Sequence, residues 1–231
     1  MRHSKHRGLT FWYNTALITF AAIAIGLTWT VMNSGFSSSE AIKNTIEYAV
    51  TKSANSLQVI GKMTGAADVT DNKVLVTATP LSTTTNGIVD VSANNIKITY
   101  QLIKDGSHTI TYSNIYSGTL ADSSYSSLRD ALVAAKEKGL ISIDPLTDQQ
   151  KPDTTNAFVY WIVNQDFGEN VTNNEIASLV IVYADKDRPS TGEYLRVQVL
   201  DKTGSLLDLE RNIPNISSSI LDLGGKITDK P

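Results

Sequence analysis

The chain has no cysteine and only three histidines in 231 residues. A disulfide framework, a zinc–thiolate site and a thiol nucleophile are therefore excluded. His3, His6 and His108 leave little for acid–base chemistry. Neither sign of charge dominates: 20 Lys and Arg stand against 23 Asp and Glu, a net charge of −3. A broad basic footprint is missing, which argues against nucleic acid as a partner. With 41% apolar residues the chain can build a core. Its length suits one globular domain plus one further element.

A further absence is local. From Gly8 to Ser39 there is no charged side chain, and residues 16–32 (ALITFAAIAIGLTWTVM) are almost wholly apolar. Roughly 20 such residues make a helix long enough to cross a bilayer. Arg2, Lys5 and Arg7 precede the run, which holds that end in the cytoplasm and sends the bulk of the chain outward. Three readings compete. A cleaved secretory signal has a shorter apolar stretch and a small-x-small cleavage site. A signal anchor accounts for the hydrophobicity. In the third reading a peptidase cuts just before the apolar helix, which survives in the mature protein.

After three serines the pattern turns amphipathic. Ile42, Ile46, Ala49, Ser53, Leu57, Ile60 and Thr64 recur at steps of four and three, one face of a helix. Glu40, Lys43, Glu47 and Lys52 lie off that stripe. Gly61 and Gly65 mark its expected end, which predicts a helix over 9–65. Its first half needs burial in lipid or in other copies of itself. Ala16, Ala21, Ala22, Ala24 and Gly26 permit close helix approach.

From Val69 onward the period becomes two. Residues 73–79, 96–102, 107–112, 158–163, 176–183 and 193–200 read as strands. Turn chemistry separates them at Asn86-Gly87, Asp105-Gly106, Asp187-Arg188-Pro189 and Thr203-Gly204. Many short strands with polar turns predict a β-sandwich or barrel. A single helix is expected over 126–138, with Leu128, Ala131, Leu132 and Ala135 on one face and Gly139 as its stop. The polar loop 144–156, with two prolines, is expected to be exposed.

No G-x-S-x-G, H-E-x-x-H, Walker A or G-x-G-x-x-G motif occurs. No catalytic residue and no cofactor is assigned, and His108 reads as a strand residue. Asn164, Asp166, Glu169, Asn173, Asn174 and Glu175 crowd one loop. Clustered oxygens can hold Ca²⁺, but the spacing is not that of an EF-hand, and no metal ligand is assigned. Sequons occur at Asn170-Val-Thr172 and Asn215-Ile-Ser217, with Asn170 in an exported loop and Asn215 expected near a strand.

Arg7-Gly8-Leu9, placed just ahead of the apolar run, resembles the cleavage site of type IV pilin-like precursors. Leu9-Thr10 and Thr15-Ala16 are similar to the ends of that family's segment; the Glu many members carry there is missing, and Asn14 sits nearest its place. Farther on, Phe158-Val-Tyr-Trp-Ile-Val-Asn164, Leu179-Val-Ile-Val-Tyr-Ala-Asp185, Asp187-Arg-Pro-Ser190, Glu193-Tyr-Leu-Arg-Val197 and Glu210-Arg-Asn-Ile-Pro214 resemble the head of the archaellins, the archaeal flagellins. The resemblance covers both ends of the chain. It implies an α+β subunit of the archaeal swimming filament and not an enzyme. Residues 1–8 would be a leader cut by a prepilin-type peptidase between Gly8 and Leu9. Residues 9–65 would be a helix that anchors in the membrane and then forms the filament core. Residues 66–231 would be an immunoglobulin-like β-sandwich head on the filament surface. The implied partners are further copies of the chain, other archaellins and the archaellum assembly machinery. Glycosylation would fall at Asn170 and Asn215. Two other readings stay open: an adhesion pilin on the same helix, and a membrane-anchored extracellular β-domain that does not polymerise.

Overall fold

The computed structural model describes residues 56–84, 87–104 and 108–224, with the side chain of His108 outside the description. The apolar run 16–32, the Gly8–Leu9 junction and most of the amphipathic stripe lie outside these residues. Within them, no helix is long and apolar enough to cross a membrane.

The described residues form two stacked sheets, a small third ribbon and one α-helix. The larger sheet contains β1 (Leu57–Val59), β2 (Thr64–Asp68), β3 (Lys73–Thr83), β7 (Tyr116–Ser124), β8 (Asn156–Val163), β10 (Ile176–Val182) and β13 (Ile220–Asp222). Its order is β13-β2-β3-β10-β8-β7, and β1 shares with β2 the same edge of β3. All pairs are antiparallel except β7 with β8, which run parallel. The smaller sheet runs β12-β11-β5-β6, from Leu206–Asn212, Tyr194–Asp201, Ile96–Lys104 and His108–Tyr112. β4 (Ile88–Asp90) and β9 (Asn170–Thr172) make the ribbon.

The main core lies between the sheets. Val74, Val159, Trp161 and Leu179 from the larger sheet join one cluster with Ile98, Tyr100, Leu195 and Val197 from the smaller. A second core sits on the outer face of the larger sheet. There Val76, Phe158, Tyr160, Val180 and Val182 pack with Ala131, Leu132 and Ala135 of helix α1 (Leu128–Glu137). A parallel pair needs a crossover connection, and α1 rides in that connection between β7 and β8.

The helix agrees with its expected bounds, and its ends show why. Ser127 has extended backbone and accepts from the N–H of Asp130, whose carboxylate takes the Ser127 hydroxyl in return. At the other end Leu140 N–H donates to Ala135 O and Gly139 N–H to Lys136 O, the paired bonds of a left-handed C-terminal cap. Gly139 takes φ +77°, which a side chain would resist.

The six expected strands are present, with shifted ends. The helix expected to reach residue 65 is corrected at its C-terminal end: residues 57–59 and 64–68 are strands. Leu57 stands on the helical stripe but with Val59 also satisfies a period of two, and two glycines in five residues weaken a helix. The edge of β3 then wins, with Leu57 opposite Thr83 and Gly65 opposite Thr77. At Gly65 a side chain would meet the Val76 carbonyl at 3.1 Å, so the close approach of β2 to β3 favours glycine. The loop 144–156 is largely exposed as expected, with three buried exceptions. Asp144, Pro152 and Thr155 are buried. Asp144 turns inward to accept from Leu146 N–H and the Thr147 hydroxyl, 2.9 and 2.7 Å away.

Candidate functional site

The oxygen-rich loop 164–175 is folded on itself. Glu175 is buried, and one carboxylate oxygen accepts from Gln165 N–H at 3.0 Å. The other takes the N–H and hydroxyl of Thr172. Asn164 accepts from Phe167 N–H and donates to Ala121 O. Asp166 accepts from Gly168 N–H. These oxygens therefore serve the loop's own backbone donors, as buried polar groups require. Among the described residues no three His, Asp or Glu side chains converge on a metal-sized gap.

That bonding pattern holds Phe167 in a left-handed conformation, φ +54°, with 62% of its surface exposed. A non-glycine residue in that region is uncommon. Ile162 and Val163 just before it are also exposed. The loop thus presents three apolar side chains within six residues, flanked by Asp166 and Glu169.

The two sequon asparagines are both exposed. Asn170 opens β9 opposite Asp90, and its Thr172 hydroxyl is committed to Glu175. Asn215 lies in coil just beyond β12, which ends at Asn212, and so near a strand as expected.

Asp187 and Arg188 were expected in a polar turn. Instead Asp187 is 2% exposed and closes one turn of 3-10 helix, Asp185–Asp187. It is the hub of a network joining the sheets. Tyr100 donates to its carbonyl at 2.7 Å, and Tyr112 and the Thr155 hydroxyl each donate to its carboxylate at 3.0 Å. Thr155 in turn accepts from Ala184 N–H, and Tyr183 shares a 2.8 Å hydrogen bond with Thr77. The Tyr100 ring stacks on Tyr112 and tilts against Tyr183, at 6.3 and 5.4 Å. Burial pushes Tyr100 and Tyr183 well above the usual phenol range. The Tyr100 and Tyr112 hydroxyls, donating to Asp187, tie the smaller sheet to the segment that follows β10. A hollow of about 300 Å³ lies beside the network, walled by Tyr112, Asn114, Tyr116 and Asp187. No local sequence signal marked this hub, since its partners come from five separate segments.

A larger cleft of about 650 Å³ opens between β1 and the edge strand β12. Leu57, Val59, Leu207 and Leu209 give it apolar walls, and Tyr194, Asp208 and Glu210 line its polar side. Those acids are already engaged. Arg196 pairs with Asp208 and, at 3.4 Å, with Glu210, which also accepts from the Tyr194 hydroxyl at 2.6 Å. The Arg196 contact pulls Asp208 below the usual carboxylate range.

Arg211 also lines the cleft and is 6% exposed. It donates to the Glu210 carbonyl, while its buried Nε has no partner. Burial lowers its proton affinity. The other buried guanidinium among the described residues, Arg188, also has an unpartnered Nε but holds a carboxylate, Asp185, at 2.9 Å.

No protein-family model matches the chain, and no curated protein matches it in sequence. Solved structures do. The described architecture is similar to archaeal flagellin FlaB1 from Methanocaldococcus jannaschii, at 17% identity and a TM-score of 0.54, over 74% of this chain and 97% of that one. The archaeal flagellum of Methanospirillum hungatei matches over 94% and 98% at 10% identity, with a TM-score of 0.42. The periplasmic stator protein FlaG of the Sulfolobus acidocaldarius archaellum matches over 67% and 96% at 8% identity, with a TM-score of 0.33. The two-sheet sandwich with its lateral helix therefore has the fold of an archaeal flagellin.

Proposed function

We propose that the chain is a structural subunit of the archaeal swimming filament, built to polymerise and not to catalyse. The carrying observation is the fold, whose match with the crystallised archaeal flagellin covers 97% of that chain and 74% of this one. The uncharged run from Gly8 to Ser39 supports the same reading. An apolar helix of that length is unstable in water and needs lipid or other helices around it, which a filament core supplies. In this proposal a prepilin-type peptidase cuts between Gly8 and Leu9. Residues 16–32 then wait in the cytoplasmic membrane and pass into the core. The sandwich, an elaborated immunoglobulin-like head, faces outward on the cell surface. The exposed side chains of Asn170 and Asn215 are available to a glycosyl transferase there.

Deleting the gene and tracking the cells tests this reading. Swimming is expected to stop while surface attachment persists, and microscopy should show filaments missing. Lost attachment with normal swimming would overturn the swimming-filament reading in favour of an adhesion pilus. Normal filaments in the deletion strain would point to the anchored, non-polymerising β-domain. N-terminal sequencing of the mature chain checks the processing step: a start after Ala16 would rule out cleavage at Gly8.

A further inference from the structure

A buried cation without an anion is costly, so an anion brought to it from outside would be bound favourably. Arg211 is such a cation: nearly wholly buried, on the wall of an apolar cleft, with an unpartnered Nε and no ion pair among the described residues. The nearest acids on that wall are spent on Arg196 and Tyr194. A carboxylate brought into the cleft would find Arg211 free to pair with it. Apolar bulk beside that carboxylate would suit Leu57, Val59, Leu207 and Leu209, which share the lining with Ser56, Gln58 and Thr84. A cleft of about 650 Å³ lies within the usual range of roughly 300–1,000 Å³ for occupied pockets.

The same chain displays that combination elsewhere. The Phe167 loop holds an aromatic ring out into solvent in a left-handed backbone, between the carboxylates of Asp166 and Glu169. Its bonds to Asn164 and Asp166 fix the tip before any partner arrives, which lowers the ordering cost of docking.

We propose that the cleft between β1 and β12 receives the Phe167 loop of a second copy of this chain, with Arg211 meeting a carboxylate of that loop. The inference rests on the filament reading and deepens it by naming a head-to-head contact. The two surfaces are different patches of one molecule, so the contact is heterologous. Repeated from subunit to subunit it makes an open series and not a closed dimer. The apolar helices would give the filament its cohesion, and this contact its head-to-head register.

The lack of native cysteine allows a direct test. The full-length chain carrying F167C and L207C, assembled into filaments on cells, is oxidised and run without reductant. A ladder of covalent multimers is expected, and each single variant should stop at dimers or monomers. Double-variant filaments that assemble and stay monomeric on oxidation would overturn the contact while leaving the filament reading intact. Cells of the parent strain that never form filaments would overturn both. A second variant guards against misfolding. R211M removes the unpaired charge and keeps the bulk, so the unassembled chain in detergent should melt no lower than the parent. Its critical concentration for assembly should nonetheless rise about tenfold or more, as for loss of a central interface anchor. Unchanged assembly of R211M would sink the proposal. A fall in the melting temperature of the unassembled chain would equally sink it, because Arg211 would then serve the fold alone.

Discussion

The two sheets of the sandwich meet water differently. In the larger sheet β10 is buried at every position from Ala177 to Val182, and β8 from Ala157 to Trp161. In the smaller sheet β5 and β11 alternate, with Ile98, Tyr100 and Leu102 or Leu195, Val197 and Val199 inward, and Lys97, Arg196 and Gln198 toward solvent. One sheet has protein on both faces and the other on one. The difference is written in the sequence as a continuous apolar run against a strict alternation. A continuous run calls for a second covering layer, and α1 supplies it. The hub at Asp187 is what ties the two-sided sheet to the one-sided one.

That contrast can be broken from its buried side. Leu132→Ala opens the core under α1, and the expected loss is about 2–5 kcal/mol in urea unfolding. A loss below roughly 1 kcal/mol would mean that the helix does not seal the outer face. Asp187→Ala attacks the tie between the sheets. It strands the buried Thr155 hydroxyl, which should cost about 1–3 kcal/mol, and frees the half-buried Tyr112 hydroxyl. A variant as stable as the parent would show the network to be incidental. Ser127→Ala removes the N-cap of the covering helix, for which about 1 kcal/mol is expected, with first-turn amides of α1 exchanging faster.

The smallest effect belongs to the wet face and appears only at high pH. Tyr194 is pushed up to about 12 by burial and by its hydrogen bond to the Glu210 carboxylate. Because the folded value lies above the unfolded one, its contribution is complete below pH 10 and fades as pH rises through 12. Tyr194→Phe should therefore be less stable than the parent at pH 9, and that deficit should shrink between pH 10 and 12. Paired denaturation curves at the two ends of this window check the sign. A constant gap would show that the hydroxyl does not titrate as its surroundings require.

Local free energies were legible in the sequence. Helix α1 could be placed because its N-cap serine, apolar stripe and terminal glycine lie within a dozen residues. The strands at 73–79, 96–102 and 193–200 carry an alternation, and those at 158–163 and 176–183 a near-continuous apolar run, that a single segment displays by itself. The uncharged stretch from Gly8 to Ser39 sets the need for a non-aqueous environment whatever the fold beyond it. Pairing across long separations was decided by the tertiary structure. Residues 57–68 satisfy a helical stripe about as well as a strand, and only the adjacent edge of β3 chooses between them. β13 pairs with β2 across more than 150 residues, with Ile220 opposite Ala66. The burial of Asp187 and the isolation of Arg211 have the same origin: a polar side chain's partners depend on which strands surround it. Periodicity and capping are properties of neighbours along the chain, whereas an unpaired charge on a cleft wall is a property of neighbours in space.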